Sequence, residues 1–194
     1  MKKIYFILII SALIVSCSSD QMDDTVFISD ENDRNLPAYS EWGYNSFGAV
    51  YERDYFLASN KIVPCKITYK NNQLQFLLSG LFAKDEPMAL LFTFPAPEIP
   101  NIKELAQLHD YEIDLANSKV TVTMMREDEP TEILDVTGGI LHFKRVQLLS
   151  IDDKFNRVIL SGVFNVRFSL NDFPAAFSDG RFDVGITNDC FLAN

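Results

Sequence analysis

From Val158 to Leu170 every second residue is apolar or glycine: Val158, Leu160, Gly162, Phe164, Val166, Phe168, Leu170. In the second half of the run the gaps are filled by Asn165, Arg167 and Ser169. Side chains alternate across a strand, so this period of two prescribes a half-buried β-strand. The run is about twice the usual strand length, so it has to bend or serve two sheets, and Gly162 is the expected bend.

The same alternation recurs along the chain. Leu74, Phe76, Leu78 and Gly80 alternate with Gln73, Gln75, Leu77 and Ser79, and Val120, Val122 and Met124 alternate with Lys119, Thr121 and Thr123. Further strands are expected at Phe47 to Tyr51, Tyr55 to Ala58, Ile62 to Tyr69, Met88 to Phe94, Tyr111 to Leu115, Glu132 to Val136, Ile140 to Leu148 and Arg181 to Thr187. Turn signals stand between them at Asn71-Asn72, Asn117-Ser118, Gly138-Gly139 and Asp179-Gly180, with a hairpin loop over Ser150 to Asn156 in which Asn156 takes the left-handed conformation. One helix is expected from Ile102 to about His109, capped by Asn101 with Glu104 three residues on, and burying Ile102, Leu105 and Leu108. The expected class is all-β: an antiparallel β-sandwich or a closed or partly open β-barrel with one short helix. Leu78-Ser79-Gly80-Leu81-Phe82 and Leu160-Ser161-Gly162-Val163-Phe164 form a short internal echo.

The N-terminus carries a different signal. Lys2 and Lys3 precede an apolar run from Ile4 to Val15 that is too short to span a bilayer as a helix and therefore reads as a signal peptide. It closes with Ile14-Val15-Ser16-Cys17, which resembles the bacterial lipobox, and this resemblance implies that Cys17 is acylated and becomes the new N-terminus. Two or three acyl chains hold a protein on a bilayer almost irreversibly. The stretch after Cys17 is rich in serine and acids and poor in large apolar residues, so it reads as a flexible tether. The expected organisation is residues 1–16 as signal peptide, 17–41 as a lipidated acidic stalk and 42–194 as a single β-rich domain.

Cleavage before Cys17 removes two of the 17 basic side chains and none of the 27 acidic ones, taking the formal charge from −10 to about −12. A chain this acidic repels phosphate backbones, which argues against nucleic acid as a partner.

The lipobox, the acidic stalk, the strand from Gly139 to Leu148, the segment Leu160-Ser161-Gly162-Val163-Phe164 and the closing Asp179-Gly180-Arg181-Phe182-Asp183 together resemble the small surface lipoproteins of the Bacteroidota. The resemblance covers the leader and about the last third of the chain. It implies an outer-membrane, lipid-anchored location, with the domain facing the cell surface or, alternatively, the periplasm; it implies no activity.

Signatures of chemistry are sparse. The only histidines are His109 and His142, there is no Gly-x-Ser-x-Gly, and neither Cys-x-x-Cys nor His-Glu-x-x-His occurs, so no catalytic residue, metal site or cofactor is expected. Oxygen-rich loops at Asp152, Asp153 and Asn156, and at Asp179 and Asp183, read as turn chemistry. Cys65 and Cys190 remain after acylation of Cys17; in an oxidising compartment they either bridge or stay as two separate buried thiols. The aromatic residues following the stalk, Trp42, Tyr44, Tyr51 and Tyr55, are candidate ligand contacts, with the competing reading that they belong to the core. The expected function is a membrane-anchored, non-catalytic binding or accessory module for a glycan or an envelope protein. The alternatives are a small apolar-ligand carrier with a barrel cavity and a carboxylate-dependent hydrolase.

Overall fold

Alternating sequence becomes a single curled sheet in a computed structural model that describes residues 25–127 and 129–193. The expected signal peptide and Cys17 lie outside the described residues. The strands are β1 (Ser46–Tyr51), β2 (Asp54–Leu57), β3 (Cys65–Lys70), β4 (Gln73–Phe82), β5 (Glu86–Pro95), β6 (Tyr111–Asp114), β7 (Thr121–Arg126), β8 (Glu132–Ile133), β9 (Asp135–Ile151), β10 (Lys154–Leu170), β11 (Phe173–Ile186) and β12 (Phe191–Ala193). Their spatial order is β6-β9-β10-β11-β1-β2-β4-β5-β7-β8, with β3 paired to the rest of β4 and carrying β12. Pairing is antiparallel except between β3 and β12, and β6 and β8 end the path, so the sheet is a half-barrel.

Tight turns set the registers. Four hairpins turn on two residues that both adopt positive φ: Glu52-Arg53, Asn71-Asn72, Asp152-Asp153 and Asn171-Asp172. Two left-handed residues match the right-handed twist of the flanking strands. The left-handed position in the β9–β10 hairpin is therefore at Asp152 and Asp153, not at Asn156. Two other expected turns are bulges inside long strands. Gly138 and Gly139 lie within β9, where a Cβ on Gly139 would sit 2.2 Å from the Asn165 carbonyl oxygen, so the glycines permit close passage of β10. Asp179-Gly180 likewise interrupts the β10–β11 register without ending β11.

The concave side is filled with rings. Phe76 of β4 meets Phe143 of β9 and Phe182 of β11 at 5.1 and 5.0 Å between centroids, and Phe92 of β5 meets Phe164 of β10 at 5.6 Å. Opposite walls of the curl therefore touch through their side chains. The helix Ile102–Leu108 is a 3-10 helix that buries Ile102, Leu105 and Leu108 against the core, and its Asn101 side chain accepts the Lys103 N–H.

The chain from Thr25 to Glu41 departs from the expected flexible stalk. It straps across the outer face of the sheet: Leu36 is 1% exposed, and Asp30 pairs with Arg181 of β11 at 2.6 Å. Glu41 pairs with Arg145 of β9 at 3.2 Å. Composition predicts disorder when few apolar groups are available, but here buried Leu36 and Pro37 and several directed polar contacts seat the strap.

Candidate functional site: a cleft under the strap

In β2 the alternation sends Phe56 into the core and Tyr55 and Leu57 outward; in β4 it sends Phe82 inward and Leu81 outward. These two strands pair over only two positions, Phe56↔Phe82 and Leu57↔Leu81. Gly80 follows at a point where an added Cβ would lie 2.0 Å from the Leu57 carbonyl oxygen, so the backbones close up at the base. The strap passes above and supplies Phe27, Arg34 and Asn35 as a second wall. The result is an open cleft of about 390 Å³ with Phe27, Tyr55, Leu57 and Leu81 along it and Arg34 and Lys84 at its rim.

The aromatic wall of the cleft is fixed. Asn35 Nδ2 donates to the Tyr55 hydroxyl at 3.1 Å, and that hydroxyl donates to Asp33 Oδ2 at 3.1 Å. Arg34, Lys84 and Asp54 are exposed at its margin, offering two cations and one carboxylate to an occupant. A second cleft of about 280 Å³ lies between the end of β5 and β6, lined by Phe94, Pro95, Tyr111, Ile113, Lys119 and Val120 among others. Its one cation is Lys119, and the carboxylates of Glu112 and Asp114 also line it.

The four expected aromatic contacts separate. Tyr55 lines the cleft, whereas Tyr51, one position away in the β1–β2 register and so on the opposite face, is a correction to the expected set. It is 0% exposed and stacks on Phe177 at 4.5 Å and on Phe168 at 6.1 Å, so no ligand reaches it from outside. Burial, helped by neighbouring Glu52, pushes its phenol up to about 12. Trp42 is 75% exposed and Tyr44 is half-buried, but neither lines the cleft. The sequence reading missed Phe27, Leu57, Leu81, Arg34 and Lys84. Phe27 and Arg34 fall within residues 17–41, which composition assigns to a stalk, and Leu57 and Leu81 carry no local mark of their outward direction.

Asp183 is the best-organised polar centre outside the cleft. Its carboxylate is 1% exposed and accepts the backbone N–H groups of Trp42, Gly43 and Tyr44 at 3.1, 2.8 and 3.2 Å. The hydroxyls of Ser40 and Ser161 donate to the same carboxylate. Every donor comes from the strap end or from β10, so this carboxylate clasps the strap to the sheet. The Ser-Gly-x-Phe and Asp-Gly-x-Phe-Asp segments thereby meet through Ser161 and Asp183.

The histidines are engaged singly. His142 Nε2 lies 2.9 Å from Asp110 Oδ1 and its Nδ1 3.7 Å from Glu112 Oε2, while His109 Nδ1 accepts the Val146 N–H. No group of three His, Cys, Asp or Glu side chains is placed to hold a metal among the described residues. Cys65 is buried at the start of β3, and Cys190 ends the 3-10 turn that leads into β12, the strand paired with β3.

No protein-family model, curated protein or solved structure matches the chain.

Proposed function

We propose that this chain is a cell-envelope lipoprotein, anchored through Cys17, whose cleft under the strap binds a glycan without chemical conversion. The observation that carries the reading is the pairing of aromatic faces with hydrogen-bonding groups on a fixed outer surface. Sugars present flat C–H faces that pack on rings, and hydroxyls that need directed donors and acceptors. Phe27 and Tyr55 supply the rings; Arg34, Asn35, Asp54 and Lys84 supply the polar partners. The ring-filled interior weighs against the carrier alternative, which needs an internal cavity lined by Phe, Leu and Val. The hydrolase alternative needs paired carboxylates of unequal environment in a cleft; Glu112 and Asp114 of the second cleft are both exposed on one face of β6, and the buried Asp183 is saturated by protein donors away from both clefts.

The test is a glycan array probed with the full mature protein in detergent, followed by titration of the best ligand. Phe27→Ala and Tyr55→Ala are each expected to weaken binding about tenfold, the loss of roughly one well-packed contact. Absence of binding above background, or binding that ignores both substitutions, contradicts the proposal. Loss of binding with Trp42→Ala alone moves the site to the exposed indole and contradicts this cleft as well.

A further inference from the structure

The topology brings the two cysteines of the folded domain to one corner although about 125 residues separate them in sequence. Cys65 opens β3, and Phe191, the residue after Cys190, pairs with Ile67, two residues after Cys65. The 3-10 turn Asn188–Cys190 packs directly against β3, and each thiol lies within electrostatic reach of the other. Cys65 is buried, which pushes its thiol well above the ordinary range and keeps it from reacting as an isolated nucleophile. Cys190 is the more accessible of the two and is placed to react first.

We infer that Cys65 and Cys190 form a disulfide in the exported protein, stapling the C-terminal strand to β3. The reaction is thiol–disulfide exchange with an envelope protein disulfide as oxidant. The Cys190 thiolate attacks one sulfur of the oxidant and releases its other sulfur as a thiolate; Cys65, deprotonated as it approaches, then attacks the mixed disulfide. One S–S bond forms in the protein, the oxidant ends as a dithiol, and two electrons and two protons have moved to it. The staple has a structural purpose that the fold makes visible. β12 is three residues long, its pairing with β3 is the one parallel pairing among the described strands, and its Leu192 is largely exposed, so a covalent link would add to the packing of Phe191 on the core.

The experiment isolates the full protein from the envelope, unfolds it with iodoacetamide present and no reductant, and maps the peptides by mass spectrometry. The expected result is a linked pair of peptides containing Cys65 and Cys190, about 2 Da lighter than the two reduced peptides together, with alkylation of both only after reduction. Reductant is expected to lower Tm by about 10 °C in the parent and to leave the Tm of Cys190→Ser unchanged. Alkylation of both thiols without reductant overturns the inference. So does a dimer linked through Cys190, or a Tm of the parent that reductant does not move.

Discussion

Asp183 shows how much can hang on one side chain. Five donors converge on a carboxylate that water does not reach, so removing it strands donors on both the strap and β10. Asp183→Ala is expected to cost about 3 kcal/mol and Ser161→Ala about 1 kcal/mol, read from urea unfolding midpoints at constant m-value. Gly162 faces a different constraint: a Cβ there would stand 2.1 Å from the His142 carbonyl oxygen and 2.5 Å from the Phe182 ring. Gly162→Ala therefore forces backbone or ring to move, and a loss of about 3 kcal/mol is expected in the same assay. Both residues stood in the segments singled out from sequence, Gly162 as a bend and Asp183 as turn chemistry. Strand periodicity reports which face a residue occupies; it does not report that the N–H groups of Trp42, Gly43 and Tyr44, about 140 positions away, will fold onto that face. Asp30 is more exposed to pH. The backbone N–H of Asn32 in the first place, then that of Asp33 and the Arg181 guanidinium, hold its carboxyl below the usual range against a partial burial penalty. A carboxyl lowered on folding adds stability that is complete above its unfolded pKa of about 4 and fades as pH falls through the folded value. Strap docking is thus expected to weaken in acid below about pH 4, and Asp30→Asn to reduce that dependence, as followed by protease cleavage between residues 25 and 41.

At the level of elements, the sequence was most readable where alternation and turn chemistry agreed. The Asn71-Asn72 hairpin announces itself because asparagine tolerates positive φ, whereas Glu52-Arg53 carries no such mark yet adopts the same geometry at φ of 51° and 74°. Glu52→Asn combined with Arg53→Gly is expected to raise stability by about 1 kcal/mol, since the wild-type pair holds a left-handed conformation that neither residue favours. Thermal unfolding would show it. Pro174 hid the first half of β11, because proline demotes a strand when read in isolation. In the fold, β1 pairs with β11 only from Phe177 to Asp183, which leaves Pro174 on a stretch with one neighbour. The helix was legible in place and in face, but its apolar spacing of three residues, Ile102, Leu105 and Leu108, is the period of a 3-10 helix and was the overlooked hint. The strap is the element composition hides most: its seat on the outer face rests on Leu36 and Pro37, two buried residues in a polar stretch. Leu36→Ala is expected to cost about 3 kcal/mol and to expose residues 25–41 to protease well before the sheet unfolds.

For the whole molecule, the seated strap changes the reach of the domain. A free stalk from Cys17 to Glu41 could extend to about 85 Å, but from Cys17 to Thr25 only eight peptide units remain, at most about 29 Å. If the proposed anchor holds Cys17, the domain works close to its own membrane, with the cleft beneath the strap. Long-range topology of this kind, with β1 joined to β11 and β3 to β12, lies beyond any local pattern and explains why the half-barrel was foreseen only as one of several β architectures. The proposed anchor at Cys17 is the premise on which the proposed compartment, its oxidising chemistry and the surface role all rest. Intact-mass and peptide analysis of the native protein taken from purified outer membranes tests it directly: the account predicts a chain beginning at Cys17 and carrying acyl groups, and a chain that retains Met1 or an unacylated residue 17 would contradict it.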